Sequence, residues 1–211
     1  MKSSQCDPGS RITCLRLEGD LLVSGSESGL ITLTSLTSPG ILSPLLQVRP
    51  SSEAVRDLAL QDGRVVSLSA DARLRVWTVR SDRCISNISL ENEKLSKISV
   101  NWPLCIIAGL DNVLLWDLEK SQQLQRLQLA GGGVGSVVTI TRHQVLVGDT
   151  RGSLSIWSLQ DLIDGHEAEE DKTRKTVECF EPENVISGVC SLAADKILVT
   201  GWNGKCCLFS F

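Results

Sequence analysis

Few residues of this chain have the type and spacing that metal binding or catalysis requires. The sequence contains 8 cysteines and 2 histidines, and no two cysteines are separated by two residues. A structural zinc ion takes four ligands that usually come in short-spaced pairs. His143 and His166 have no nearby cysteine or serine in a setting that suggests a nucleophile and its base. We therefore predict no metal, no cofactor and no catalytic residue.

The cysteines are better explained as part of a core. Cys14, Cys105, Cys190, Cys206 and Cys207 lie in or beside apolar runs. A reduced cysteine packs there as a small hydrophobic residue. The first ten residues contain no apolar signal segment, and the apolar runs are too short to cross a bilayer. We expect reduced thiols, a cytoplasmic or nuclear location and no membrane association.

A glycine-rich segment, Gly131–Gly135, is the closest match to a phosphate-binding loop. It lacks the lysine and the serine or threonine of that motif, and no helix is predicted after it. We interpret it as a loop between repeats. Asp57, Asp71 and Asp149 fall in turns or at strand ends, where carboxylates usually accept hydrogen bonds from local backbone.

Turn residues are the better candidates for binding. Trp202 lies within Gly201–Gly204, and such tight turns seldom bury a large ring. Tryptophan and arginine are also enriched at the hot spots of protein interfaces. An alternative is that Trp202 folds back over the edge of its own repeat or contacts a missing neighbour. The predicted peptide or protein contact consists of Trp202, Asn203, Arg151, Arg73 and Asp71.

These turns belong to a sequence pattern that occurs five times. The best copy, Arg64–Val79, has an apolar run, a small polar turn and an alternating strand that contains Trp77. The residues equivalent to Trp77 follow one another at steps of 39 to 52; they are Thr34, Trp116, Trp157 and Phe209. A period near forty indicates an array built from one repeated supersecondary unit.

The pattern resembles the WD40 repeat in three segments: Val23–Gly29, Leu114–Asp117 and Gly148–Trp157. The resemblance implies an all-β fold, a propeller or open propeller array of about five four-stranded blades, with the strand-three tryptophans in the core. The usual opening Gly-His pair is missing from all five copies, and only Trp116-Asp117 is a true Trp-Asp pair. The His-Asp-Ser-Trp hydrogen-bond network of the family therefore cannot form completely.

The repeats predict one continuous array over 11–211 after a flexible N-terminus over 1–10. The predicted blades span about 11–50, 54–92, 95–130, 134–181 and 185–211, with a charged insertion at 160–175. The predicted strands cover 11–17, 21–24, 30–35, 45–48, 55–60, 65–68, 74–79, 84–90, 95–100, 105–108, 113–118, 123–129, 136–141, 145–148, 154–159, 176–180, 186–192, 196–200 and 205–211. The last blade thus lacks an outer strand, an exposed edge that proteins usually avoid. Either the ring closes imperfectly or the chain is the C-terminal part of a longer WD40 protein, such as an F-box/WD-repeat adaptor, and we favour the second interpretation.

The resemblance and the absence of catalytic residues favour a non-catalytic scaffold or adaptor that presents its loops to partner proteins, within a larger complex. One alternative is the substrate-recognition subunit of an F-box type ubiquitin ligase. An alternative of another class is a nucleic-acid-binding propeller. The net charge of −4 makes nucleic acid an unlikely partner, because such a protein needs a basic face.

Overall fold

The protein is all-β, with five separate antiparallel sheets. The structure is a computed structural model that describes residues 9–37, 43–79, 83–90, 94–110, 112–128, 135–164, 174–181, 184–193 and 196–210. The chain forms two compact units, Met1–Glu93 and Lys94–Phe211. The first contains sheets 1 and 2, and the second contains sheets 3, 4 and 5.

The first unit is built from eight described strands in two meanders. Sheet 1 has the order β1-β2-β3-β4, and sheet 2 has the order β5-β6-β7-β8. The strands are β1 Ile12–Glu18, β2 Leu21–Ser26, β3 Ile31–Ser35, β4 Ser43–Val48, β5 Val55–Gln61, β6 Arg64–Ser69, β7 Arg73–Thr78 and β8 Cys84–Ser89.

The second unit repeats the same meander. Sheets 3 and 4 have four strands each, and sheet 5 has three strands within the described residues. The elements are β9 Lys97–Asn101, β10 Leu104–Ala108, β11 Asn112–Asp117, β12 Gln122–Gln128, β13 Gly135–Ile140, β14 Gln144–Asp149, β15 Ser153–Ser158, α1 Leu159–Ile163, β16 Arg174–Glu178, β17 Ile186–Ala193, β18 Lys196–Gly201 and β19 Cys206–Ser210.

Every predicted strand is present, and its ends lie within two residues of the prediction. Three other predictions fall wholly or mainly on residues outside those described: the N-terminus 1–8, most of the insertion, and the glycine segment as far as residue 134. Gly135 itself is not in a loop, because it begins β13 and faces Asp149 across the sheet.

The predicted insertion begins and ends in regular secondary structure. Its first residues form α1, which Ser158 caps by accepting a hydrogen bond from the Asp161 N–H. Leu159 and Leu162, three residues apart, are buried in the core between sheets 3 and 4. At the other end, Arg174 and Lys175 belong to β16 and pair with Trp157 and Ile156. The charges of these two residues suggested a loop, but they lie in an edge strand that tolerates them.

Within each unit, consecutive sheets pack face to face in one repeated way. We call the face of a sheet that packs on the following sheet its forward face, and the face that packs on the preceding sheet its backward face. The forward face of sheet 1 includes Val23, Ile31 and Leu33, and it packs on a backward face of sheet 2 that includes Leu58, Val65 and Trp77.

The second unit has two such interfaces. Between sheets 3 and 4, Ile106, Val113 and Leu115 pack on Val145, Val147 and Trp157. Between sheets 4 and 5, Leu146, Leu154 and Ile156 pack on Ile186, Ile197 and Val199. All of these side chains are buried, and each contributes about 1.5–3 kcal/mol to folding.

The tryptophans on the third strands of sheets 2, 3 and 4 lie in the core, with one partial exception. Trp77 and Trp157 are buried, whereas Trp116 is partly exposed. The Trp77 Nε1–H donates to the Ser67 hydroxyl at 3.2 Å. Ile107 holds the position equivalent to Ser67 in sheet 3, so the buried Trp116 Nε1–H has no acceptor among the described residues.

The cysteines divide into two groups. Cys14 and Cys105 are buried as expected, and Cys207 is partly buried. The prediction was wrong for Cys190 and Cys206, which are exposed on the outer side of sheet 5. No disulfide joins any of the described cysteines. None of the described helices has the length and apolar character needed to cross a membrane.

Candidate protein-binding surface

The turns between the second and third strands of a sheet share one backbone arrangement. In sheets 1, 2 and 5, the residue that follows the second strand donates its N–H to the carbonyl of the residue that precedes the first strand. These bonds are Glu27 to Arg11 at 2.8 Å, Ala70 to Ala54 at 2.8 Å and Trp202 to Val185 at 3.1 Å. The same turn is therefore made with a glutamate, an alanine or a tryptophan, so folding does not require the indole of Trp202.

Local hydrogen bonds hold the Trp202 turn in place. The Gly204 N–H donates to the Gly201 carbonyl at 3.1 Å, and the Gly201 N–H donates to the Lys205 carbonyl at 3.0 Å. Gly204 has φ +77°, a backbone conformation that glycine adopts without strain. The Trp202 residue is 76 % exposed, the largest value among the exposed large hydrophobic residues described. The alternative in which Trp202 folds back over its own sheet is therefore wrong.

The segment that leads into sheet 5 supports this turn. The Asn203 N–H donates to the Asn184 side-chain oxygen at 3.2 Å, while the Asn203 side-chain oxygen accepts from the Lys205 N–H at 3.0 Å. A Cβ on Gly201 would lie 2.9 Å from Asn184 Nδ2 and 3.1 Å from the Phe180 ring. The backbone of the Trp202 turn is therefore tightly packed on this segment, which limits the conformations that the turn can adopt.

The Arg151 turn contacts the same segment. The Asp149 carboxylate accepts from the Arg151 N–H at 2.8 Å and from the Ser153 N–H at 2.9 Å, as predicted for a turn aspartate. Gly152 has φ +85°, and a Cβ there would lie 3.0 to 3.2 Å from three carbonyl oxygens of Phe180, Glu181 and Asn184. Arg151 and Trp202 thus both lie at the end of the second unit that this segment occupies, and both side chains are exposed.

Charges of both signs surround the two turns. Glu181 and Lys205 are exposed, and their charged groups lie 4.0 Å apart. Glu178 accepts a hydrogen bond from the Ser153 hydroxyl at 3.0 Å. We call Trp202, Asn203, Arg151, Lys205 and Glu181 the Trp202 surface: one large apolar ring with a rim of mixed charge. Core and rim of this kind are typical of protein interfaces.

Asp71 and Arg73 belong to the first unit, and Asp71 serves its own fold. The Asp71 carboxylate binds the Arg75 guanidinium in a fork, with distances of 2.6 Å and 3.2 Å. It also accepts from the Arg73 N–H at 3.2 Å. The Arg75 side chain is only 7 % exposed, so this carboxylate neutralises a buried charge. Sequence reasoning missed Arg75, although its place between Leu74 and Val76 in an apolar strand was a signal.

Two further aspects of these predicted residues differ from expectation. Arg73 is partly exposed and donates to the Asn87 side-chain oxygen at 3.3 Å, a contact within its own sheet. Asp57 is not limited to local backbone: its buried carboxylate accepts from the Leu58 N–H and from the Arg16 guanidinium at 2.7 Å. The contact with Arg16 joins sheets 1 and 2.

The described residues offer little for metal binding, and the Cys179 thiol is not activated. They include no group of three or more histidine, cysteine, aspartate or glutamate side chains that could hold a metal ion. Burial, and to a lesser degree the neighbouring Cys207, raises the pKa of Cys179 to about 11. A thiol with so high a pKa is protonated at neutral pH and is a poor nucleophile.

The geometry has counterparts among solved structures. The computationally designed Ika8 protein matches 95 % of this chain with a TM-score of 0.76 and 16 % sequence identity, over 58 % of its own length. The designed Ika4 protein matches 71 % of this chain with a TM-score of 0.62 and 18 % identity, over 92 % of its length. At these identities the likeness concerns the fold alone.

Comparison of sequences is less informative about this chain than comparison of structures. No family model matches the chain. Zinc finger CCCH domain-containing protein 62 from Arabidopsis thaliana is 33 % identical over 125 residues, which are 56 % of this chain. The match spans 28 % of the length of that relative.

Proposed function

We propose that this protein is a non-catalytic scaffold of WD40-like propeller type that binds a partner protein through the Trp202 surface. The observation that carries the proposal is the 76 % exposure of Trp202 on a turn whose backbone is fixed. Exposing an indole to water is unfavourable, and the equivalent positions in sheets 1 and 2 are occupied by Glu27 and Ala70 without loss of the turn. A bound partner would remove that cost.

The propeller assignment is supported by the repeated packing of forward on backward faces. Each interface buries apolar residues from the second and third strands, so neighbouring sheets hold one another rigidly while their turns stay free to vary. A rigid base lowers the entropy lost when a partner orders the surface. This makes a turn residue such as Trp202 an effective anchor.

The chemistry of the surface favours a protein partner. Arg151 and Lys205 are balanced by Glu181 and the nearby Glu178, so the surface has no strong excess of positive charge to attract nucleic acid. We expect an apolar side chain of the partner to contact Trp202 and a polar rim to fix its orientation.

The test is quantitative affinity purification of the full chain, followed by mass spectrometry. Wild type is compared with Trp202→Ala combined with Arg151→Ala, and with Ile163→Ala as a control. Ile163 is 46 % exposed in α1, away from either turn. We expect at least one partner to be lost by the double variant and retained by the control. If every partner is recovered equally from all three proteins, the proposal is wrong.

A further inference from the structure

Two cysteines lie together where sheet 4 packs on sheet 5. Cys179 directly follows β16, the outer strand of sheet 4, and Cys207 lies on β19, the last described strand of sheet 5. The Cys207 thiol donates to the Cys179 carbonyl at 3.6 Å, although the two residues are 28 positions apart in the sequence. Both side chains are partly buried against the apolar cluster that joins the two sheets. The fold therefore makes neighbours of two thiols that the sequence separates.

Only weak hydrogen bonds hold the two thiols in their present positions. The Cys179 thiol donates to the Val177 carbonyl at 3.5 Å, and a thiol is a weak donor. Burial raises the pKa of Cys179, and the neighbouring Cys207 adds to this effect, so the two sulfur atoms lie within electrostatic reach of each other. Either side chain can therefore change its rotamer without the loss of a strong interaction.

The other described cysteines of sheet 5 face away from Cys179. Successive side chains of a strand point to opposite faces, so Cys206 and Cys207 lie on opposite faces of β19. Cys206 and Cys190 are exposed, whereas Cys207 packs towards sheet 4. Among these three residues, Cys207 is the one placed to reach Cys179, and its neighbour Cys206 is a matched control.

The pair lies beside the elements that carry the Trp202 surface. Cys179 directly precedes the segment that leads into sheet 5, which packs against both the Arg151 turn and the Trp202 turn. Cys207 lies on the strand that leaves the Trp202 turn. A covalent bond between the two residues would therefore tie β19 to the segment that supports both turns.

We propose that a hydroperoxide oxidises Cys179 and Cys207 to a reversible disulfide, which locks the segment that leads into sheet 5 onto β19. The Cys207 thiolate attacks one peroxide oxygen, the O–O bond breaks, and the leaving hydroxide takes up a proton to become water. Cys207 is then a sulfenic acid. The Cys179 sulfur attacks the Cys207 sulfur, the S–O bond breaks, and the released hydroxide takes the Cys179 proton. Both sulfurs are oxidised, and the peroxide is reduced to two molecules of water.

The order of the two steps follows from the surroundings of each thiol. The raised pKa of Cys179 keeps this thiol protonated at neutral pH, so Cys207 is the residue that reacts with the peroxide. The second step takes place within one chain, and proximity compensates for the weak nucleophile. The inference does not depend on the binding of a partner to the Trp202 surface.

Peptide mapping of the full chain under non-reducing conditions tests the bond directly. Wild type is treated with hydrogen peroxide, the remaining thiols are blocked with maleimide in denaturant, and linked peptides are identified by mass spectrometry. We expect a disulfide between Cys179 and Cys207 in wild type and in Cys206→Ser, and we expect dithiothreitol to reverse it. Cys179→Ser and Cys207→Ser should not form it.

The mapping of wild type needs no variant, so its result does not depend on whether the variants fold. Three outcomes would overturn the proposal: Cys207 linked to a different cysteine, links between two chains only, or oxidation to sulfinic acid without a disulfide.

The locking role has its own measurements. Closing a loop of about 28 residues restricts the unfolded chain, so oxidised wild type should have a Tm roughly 5–10 °C above that of reduced wild type. The difference should vanish in Cys207→Ser. Hydrogen exchange of the Asn203 N–H, which donates to Asn184, should also slow in the oxidised protein. A Tm that does not rise, or unchanged exchange at Asn203, would contradict the locking role.

Discussion

The ion pair between Asp71 and Arg75 should be necessary for the stability of the first unit. Asp71→Asn keeps the side-chain shape and the oxygen that accepts the Arg73 N–H, but it removes the charge opposite the guanidinium. The Arg75 side chain is 7 % exposed and the Asp71 side chain 20 % exposed. Breaking a fully buried pair costs about 3–5 kcal/mol. Because Asp71 is partly hydrated, we expect a loss of about 2–3 kcal/mol in the free energy of unfolding, measured by urea denaturation at pH 7.

A second substitution separates the buried charge from other effects. Arg75→Met replaces the guanidinium with an apolar side chain that can fill the same space, so no charge is left without a partner. The double variant Asp71→Asn, Arg75→Met should therefore be more stable than Asp71→Asn alone. The reasoning fails if Asp71→Asn costs less than about 0.5 kcal/mol, the usual effect of a surface change. It also fails if the losses of the two single variants simply add.

The pH dependence of this effect has a definite sign. Burial alone would raise the pKa of Asp71. The hydrogen bonds and the positive charge of Arg75, together with the hydrogen bond from the Arg73 N–H, outweigh burial and lower this pKa from its usual 3.8. A carboxyl whose pKa is lower in the folded than in the unfolded chain adds stability above the unfolded pKa. That stability is lost as the pH falls through the folded pKa. The difference between wild type and Asp71→Asn should therefore shrink from about pH 5 towards pH 2.

Two further predictions concern the packing between and within sheets. Gly148→Ala should lower the free energy of unfolding by about 1–3 kcal/mol, because the new Cβ would lie 2.5 Å from Ile186 Cγ2. Thermal denaturation should show a smaller loss when the same change is made in an Ile186→Ala background. A neutral Gly148→Ala would show that the two sheets are not in this contact. Ser67→Ala should cost roughly 1–2 kcal/mol in urea denaturation, because the buried Trp77 Nε1–H loses its acceptor. Equal costs of Ser67→Ala in wild type and in Trp77→Phe would rule out that explanation.

The sequence predicted the strands well because one pattern is repeated five times. Alternating residues such as Leu74 and Val76 must face the same side of a strand, and the turn residues between strands fix the register. The exposure of Trp202 could also be predicted, since the tight turn that contains it leaves no room to bury an indole. These conclusions depend on local chemistry, which a single sequence contains.

Features that depend on contacts between distant residues could not be predicted in this way. Asp71 was interpreted as a surface residue because its partner Arg75 lies in an otherwise apolar strand, and only the fold brings the two side chains together. Cys206 lies in an apolar strand, so the sequence suggested burial. It is exposed on the face of sheet 5 that is turned away from sheet 4, and a local pattern cannot reveal which face of a sheet is covered. The helix at Leu159 was missed because it is only five residues long.

The binding role of the Trp202 surface can be tested directly once a partner has been purified. Isothermal titration calorimetry would compare wild type with Trp202→Ala and with the Ile163→Ala control. A hot-spot residue contributes about 2 kcal/mol or more, so we predict that Trp202→Ala raises Kd by at least roughly 30-fold. The control should bind as wild type does. A Kd for Trp202→Ala within about twofold of wild type, in a protein with unchanged stability, would contradict the proposed function.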